Sequence, residues 1–403
     1  MRESDGSGDK MLSGGGPGAP AAFRSPLRPR DTADVADAVR DAAALGVPLR
    51  IRGAGHWLDA GRPVPASACV LDVSALRGIT EYNPGDLTLT AGAGTTLAEI
   101  DAATRANGQW LPLDPAGATT ATLGATLATA SCGPLASALG LPRDLALGLE
   151  FVDGRGIVVR GGGRVVKNVA GFDLVRLTVG AWGTLGVITE ATVRLRARPE
   201  AECTMALDAP RETGTLALLL RALREAPLTP IATELVDATF RAGTGDRGSD
   251  AVLVRLAGNA ASVAAQRRHV ESLGTARELP ASAWDRLAAA DPDGAFTVRI
   301  SHRPSRVADL WHAIATATAE IEGAVRHASI ERGVVRLIVP ATAHEVVAPL
   351  VRCLASHASV LGERLPRAAW EALPAVTDRL SRGVRAAFDP HQILNPGLLA
   401  PMA

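Results

Sequence analysis

From Val187 to Leu195 the chain alternates. Val187, Thr189, Ala191, Val193 and Leu195 fall on one side; Ile188, Glu190, Thr192 and Arg194 fall on the other. That is the period of a strand with one apolar face. Gly180, Gly183 and Gly186 lead into it. Glycines at this density let main chain come close to a flat or charged group, because no Cβ stands in the way. Upstream, Val35, Ala38, Val39, Ala42 and Leu45 recur at helical spacing and predict an amphipathic helix over 30–45, stopped by Gly46, Val47 and Pro48. Short strands are predicted at 49–52, 69–73 and 87–91. The first runs into Gly53-Ala54-Gly55-His56 and the third into Gly92-Ala93-Gly94. Thr96 with Glu99 makes a capping box for a helix to about 106, closed by Asn107-Gly108.

From 111 to 148 small residues dominate, and one short helix, 123–130, stands out. Past Pro199 strands and helices interleave. Strands are predicted at 203–207, 231–236, 251–256, 296–301, 324–330, 334–340 and 359–365. Helices are predicted at 213–224, 262–273, 281–290, 306–321 and 343–358. This pattern predicts α+β architecture, a sheet covered by helices on one face. Trp284, Trp311 and Trp370 lie on helical patterns and read as core anchors. Arg299, His302 and Arg303 end the 296–301 strand, where they are either a solvated strand end or a contact for a carboxylate.

Composition narrows the function classes. Forty-two basic and 42 acidic residues balance, leaving no field to gather nucleic acid or anionic membrane. Cys69, Cys132, Cys203 and Cys353 lie far apart with no CxxC, so neither a zinc site nor an iron–sulfur cluster is expected, only reduced thiols. No metal site is expected. Residues 1–22 are polar and glycine-rich, without the apolar centre of a signal peptide, and read as a disordered tail. No apolar run reaches membrane-spanning length. A cytoplasmic chain is expected.

Three glycine-rich stretches compete as nucleotide sites. The strand–turn–helix at Gly92 has Leu97 where a dinucleotide fingerprint carries its third glycine, which counts against a Rossmann fold. Gly161-Gly162-Gly163 has no helix at the right distance. The loop Gly53–Trp57 has the makings of a nest of N–H groups that accepts phosphate without a lysine. The small residues of 111–148 read either as a lining for a cofactor or as an ordinary alanine-rich loop. His56 has three readings: a phosphate hydrogen bond, a covalent flavin link, or a surface histidine.

The order of residues says more. Lys167, Asn168, Val169, Ala170, Gly171, Phe172, Asp173 and Leu174, then Gly183, Thr184, Leu185, Gly186 and Val187, resemble the signature of the FAD-binding oxidoreductases of the vanillyl-alcohol-oxidase type, the PCMH-type family. Within that family the chain resembles the FAD-binding E subunits of bacterial glycolate oxidases. The resemblance implies a two-subdomain FAD domain over 23–200, a cap with an antiparallel sheet over 201–385, and a C-terminal segment, 386–403, returning to the FAD domain. It implies FAD as cofactor.

The resemblance also implies contacts. The pyrophosphate would lie on Arg52, Gly53, Ala54, Gly55, His56 and Trp57. Pro115, Gly117, Thr122, Leu123, Gly124, Ser131, Gly133 and Pro134 would lie along the flavin, as would Arg143, Asp144 and Gly148. Lys167, Asn168, Gly171, Asp173, Gly183, Gly186, Val187, Ile188 and Asn395 complete the set. Ala125 stands where the family usually has a second glycine.

The partners implied are a 2-hydroxy-acid-oxidising flavoprotein subunit and an iron–sulfur subunit, with attachment to the inner membrane only through a partner. The alternatives are a free-standing oxidase of an alcohol, sugar or 2-hydroxy acid with flavin covalently held at His56, and a structural flavoprotein subunit. Related 2-hydroxy-acid dehydrogenases carry a histidine-rich metal segment in the cap. Here that place reads His327-Ala328-Ser329-Ile330-Glu331-Arg332-Gly333. No histidine has a clear claim as a catalytic base, so the catalytic residues stay unassigned.

Overall fold

A computed structural model describes residues 20–117, 120–163, 172–243, 248–292 and 294–399. The first helix, Thr32–Leu45, is capped by the Asp31 side chain on the Asp34 N–H and ends at Gly46 in the left-handed region, φ 64°. Its apolar stripe, Val35, Val39 and Ala42, packs on the parallel pair Leu49–Arg52 and Cys69–Asp72. The capping box at Thr96–Glu99 forms and starts the helix Leu97–Arg105.

The second subdomain is an antiparallel sheet of five strands, in the order Ile79–Asn83, Thr88–Gly92, Val187–Arg194, Ala146–Val152, Val158–Gly162. Val187–Arg194 sits at its centre, as its alternation requires. Thr88–Gly92 meets the strand expected at 87–91, and the three other members were not legible. Ile79–Asn83 and Val158–Gly162 are edge strands with little buried, and Ala146–Val152 hides in the small-residue stretch. The short helices Ala136–Leu139 and Pro142–Leu145 were missed for the same reason.

The cap is an eight-stranded antiparallel sheet, in the order Ala276–Leu279, Ala201–Asp208, Ala251–Gly258, Ala232–Val236, Val325–Ser329, Val334–Val339, Phe296–Ser301, Ser359–Arg364. Alternation divides its residues between two faces. Met205, Leu207, Val252, Val254, Leu235, Ala328, Val335, Leu337, Val298 and Ile300 pack with Leu216, Val263, Trp311 and Val347 of the covering helices. The opposite face carries Ala206, Ala232, Val236 and Leu253, which pack with Leu135 of the first domain. The three tryptophans are buried, as expected of anchors.

The chain then returns. Phe388 meets Phe151, with ring centroids 6.1 Å apart. Leu394 bridges to Leu49 beside the first strand. Of the predicted disordered tail, residues 1–19 lie outside the described residues, and Ala21–Phe23 form a single 3-10 turn with Phe23 buried. Among the described residues no helix is long and apolar enough to cross a membrane.

Candidate cofactor site and the interdomain cavity

Most of the predicted site residues line one of two hollows. The first is a narrow cleft of about 70 Å³ in the FAD domain, lined by Arg52, Gly53, Ala54, Gly55, His56 and Trp57 together with Thr122, Gly124, Gly183, Gly186, Ile188 and Asn395. Its wall is main chain brought close. A Cβ on Gly53 would stand 2.4 Å from Thr122 Oγ1, so only glycine lets the loop rest on the start of the helix Leu123–Thr129. Gly55 holds φ +97°. A Cβ on Gly124 would stand 2.6 Å from that of Ala93.

The loop is fixed from both sides. Arg50, which sequence reasoning passed over, donates from Nη2 to the carbonyls of Trp57, Leu58 and Ala60 at 3.0, 3.0 and 3.2 Å. Burial lowers its guanidinium to about 10, with Asp59 opposing. From the cap, Arg364 donates to the His56 carbonyl at 2.7 Å, pairs with Asp59 at 2.9 Å and stacks 4.8 Å over Trp57. Trp57 meets Trp182 edge-on at 5.6 Å. Asn395 ties three segments. It accepts from Ile51 N–H at 3.0 Å, donates to the Trp182 carbonyl at 2.8 Å, and its own N–H reaches the Leu49 carbonyl at 2.9 Å.

The second hollow is a cavity of about 470 Å³ between FAD domain and cap. Its floor holds Pro115, Gly117, Ser131, Cys132, Gly133 and Pro134. Asp114 lies beneath, accepting N–H bonds from Gly133 and Leu135 at 3.0 and 2.9 Å. Burial pushes its carboxyl up to about 6, against those N–H groups and the Arg332 charge. Its roof is the polar face of the cap sheet: Glu234, Arg299, His327, Arg336 and Glu363. Arg336 is held by Asp291 and by Glu363, the latter at 2.8 Å. Burial works against its charge, and the two carboxylates outweigh that and raise it. Arg299 reaches this roof, 3.8 Å from Glu363, whereas His302 and Arg303 stay exposed and outside it.

In the segment His327–Gly333 the histidine pairs not with Glu331, next along the chain, but with Glu234 on the adjacent strand, with Nδ1 2.6 Å from Oε1. Among the described residues no group of three His, Cys, Asp or Glu is placed to hold a metal ion.

Several predicted residues are not brought to either hollow. Leu123 and Val187 turn into the core, both fully buried. Asp144 accepts the Leu141 N–H and caps its own short helix beside Arg143. Gly148 pairs with Gly162, where its missing Cβ admits the backbone of Gly163 at 3.1 Å. Asp173 caps the helix Leu174–Thr178, and Phe172 is 94% exposed. Lys167, Asn168 and Gly171 lie outside the described residues.

The residues present fit FAD. The cleft offers the close-packed main chain of Gly53–Trp57. Arg52 Nε is buried there without a hydrogen-bond partner, although Nη2 meets Asp72 at 3.2 Å. An anionic pyrophosphate would satisfy that atom. The cavity has the size of pockets that take a ring system.

Residues 26–162 match the model of a family described as FAD binding domain. Over 168 residues the chain is 41% identical to "Glycolate oxidase subunit GlcE" of Escherichia coli, covering 41% of this chain and 47% of that one. Over 211 residues it is 30% identical to "D-lactate dehydrogenase" of Archaeoglobus fulgidus, 52% of this chain and 47% of that one. The matches thus span less than half the length of these relatives. Among solved structures, p-cresol methylhydroxylase with substrate bound aligns at a TM-score of 0.72 and 15% identity, over 94% of this chain and 89% of that one. Alkyldihydroxyacetonephosphate synthase aligns at 0.68 and 17%, over 92% of this chain and 75% of that one. The order of strands, the glycine cleft and these likenesses agree: the chain carries an FAD-binding domain in the PCMH-type α+β fold, and its cofactor is FAD.

Proposed function

We propose that this chain is the FAD-carrying subunit of a complex that oxidises glycolate to glyoxylate. The observation that carries the reading is the 168-residue match, at 41% identity, with a chain named as a glycolate oxidase subunit. Bound FAD supplies a two-electron acceptor. The chain's own residues hold it. Gly53 to Trp57 and Arg52 would receive the pyrophosphate, and Pro115, Gly117, Ser131, Gly133 and Pro134 would support the ring. A 2-hydroxy-acid-oxidising flavoprotein subunit and an iron–sulfur subunit complete the assembly. The electrons leave through the latter, because the four cysteines here are not spaced for a cluster. The chain works in the cytoplasm and meets the inner membrane only through a partner.

The test is co-purification from its own cells with mass spectrometry of what binds, followed by anaerobic glycolate addition. The expected result is a yellow complex whose flavin bleaches as glyoxylate appears. A complex that turns over other substrates but leaves glycolate untouched would overturn the reading. Acid precipitation separately decides the bond at His56, whose Nε2 meets Thr120 Oγ1 at 2.9 Å. A non-covalent cofactor leaves the pellet colourless.

A further inference from the structure

The four cysteines sit in different surroundings. Cys69 and Cys203 are buried, Cys353 is exposed, and Cys132 is half-buried in the floor of the interdomain cavity. Cys69 donates from Sγ to the Ser25 carbonyl at 3.4 Å, a contact that uses the thiol proton. Burial, followed by the Glu278 charge, pushes the Cys203 thiol up. Cys132 receives instead of donating: Arg332 Nη1 donates to its Sγ at 3.2 Å. A guanidinium beside a sulfur favours thiolate over thiol, and the thiolate is the nucleophile.

Arg332 is held in place for this contact. It lies in the turn between Val325–Ser329 and Val334–Val339. Its Nε donates to Ser329 Oγ at 3.1 Å and its Nη2 to the Gly133 carbonyl at 3.3 Å. Among the described residues no carboxylate lies within ion-pair distance of it. Burial works against its charge; Cys132 first, and then Glu234, outweigh the burial and raise it. The sulfur thus stands where carboxylates complete the neighbouring pairs. Arg336 has Asp291 and Glu363, and Arg255 has Glu202.

The cavity beside this pair also has room for a further polar group. His327 and Glu234, 8% and 2% exposed, line it, and His327 Nε2 and Glu234 Oε2 have no hydrogen-bond partner. His327 and Ser329 are two apart on one strand, so they share the face on which Arg332 is held. A hydroxyl brought into the cavity, or formed on the Cys132 sulfur, adds a donor where acceptors stand open.

We propose that Cys132 is a modification site, a sulfur activated by Arg332 to attack small peroxides and alkylating electrophiles that enter the interdomain cavity. The inference goes beyond the glycolate reading and stands without it. With hydrogen peroxide the sulfur attacks one oxygen. The S–O bond forms, the O–O bond breaks, and the sulfur gives up two electrons. The departing hydroxide takes a proton from solvent, leaving Cys132 sulfenic acid and water. The neutral product no longer opposes the Arg332 charge, so the tie from the cap to the floor at Cys132 weakens.

The experiment treats the FAD-loaded chain at neutral pH with hydrogen peroxide and dimedone, which traps sulfenic acids. A parallel sample receives iodoacetamide alone. Peptide mass spectrometry then gives a labelling rate for each cysteine, with Cys353 as internal standard. An ordinary thiol is only slightly ionised at neutral pH, so Cys132 labels about tenfold or more faster than the more exposed Cys353. Arg332→Met slows Cys132 about tenfold, Arg332→Lys slows it less, and both leave Cys353 unchanged. Cys69 and Cys203 stay slow, which together with an unchanged near-ultraviolet spectrum shows that each variant is folded; Arg332→Lys decides if Arg332→Met is not. A native Cys132 no faster than Cys353 overturns the proposal. So does a rate that neither Arg332 variant alters. Labelling that begins only once FAD is stripped overturns it as well, because the cofactor then closes off the sulfur.

Discussion

The two hollows are built by opposite means. The cleft is made of main chain. Its walls are glycines whose missing side chains allow contacts such as 2.4 Å from a would-be Cβ at Gly53 to Thr122 Oγ1. The cavity is made of side chains, charged ones, set on alternate positions of cap strands. Main chain presents the same N–H groups whatever the sequence, so a cleft of that kind suits an invariant cofactor. Charged side chains are what change a pocket's preference, so a roof of that kind suits a particular substrate. One molecule therefore separates holding from choosing, and each can be disturbed alone.

The largest expected disturbance is in the cleft. Gly53→Ala drives a methyl into Thr122 Oγ1, which also accepts the Ala125 N–H at the start of a helix. FAD affinity falls about tenfold or more, and Thr122→Ala in the same chain restores part of it, as read by flavin fluorescence titration. Next is the clasp between the regions. Arg364→Ala leaves Asp291 with fewer partners and frees the His56 carbonyl, costing on the order of 3 kcal/mol in chemical denaturation and loosening FAD. Arg50→Met strips three carbonyls of their donor while keeping the volume. It lowers stability by about 2 kcal/mol in chemical denaturation and weakens FAD binding in the same flavin titration.

The cavity floor has a pH signature. Asp114 is raised from an ordinary 3.8 to about 6, so the folded chain holds this proton more firmly than the unfolded chain does. Its contribution is full below about pH 4 and is lost as pH rises through about 6, a change on the order of 3 kcal/mol. Asp114→Asn flattens that part of the stability profile of the apo chain; a profile parallel to the native one would contradict it. The smallest effect sharpens the comparison by contrast. Arg143→Ala and Asp144→Ala touch neither hollow, and FAD affinity stays within about twofold of native. A larger loss would mean that the cleft extends to the helix Pro142–Leu145.

The same contrast explains what the sequence made legible. The cleft was readable because its chemistry lies in short ordered runs: Arg52 to Trp57, and Gly183 to Ile188 before a strand whose alternation is plain. The cap strands were readable too, since their alternation predicts two faces. What was not readable was which polar positions meet. Glu234 and His327 are 93 residues apart, and only the pairing of two strands joins them. Arg336, Glu363 and Asp291 likewise meet across strand and loop. The signal existed: polar residues at every second position of otherwise apolar strands, facing away from the helices. Arg299 was singled out only as part of the charged end of the 296–301 strand, and Arg336 was not singled out at all. Arg50 was missed because a lone arginine in a short strand looks like a solvated one. Leu123 and Val187 were placed by their neighbours in a motif, whereas their own apolar side chains belong in the core.

Asn395 joins Leu49, Ile51 and Trp182, so the cleft's walls are fastened by a residue 344 positions from one of them and 213 from another. The whole cap lies between the walls and their fastening, so the cleft cannot be secured until the chain has run through the cap and come back. Cofactor retention thereby depends on a segment outside the cleft's own sequence, and a polypeptide truncated before this asparagine would emerge unpigmented.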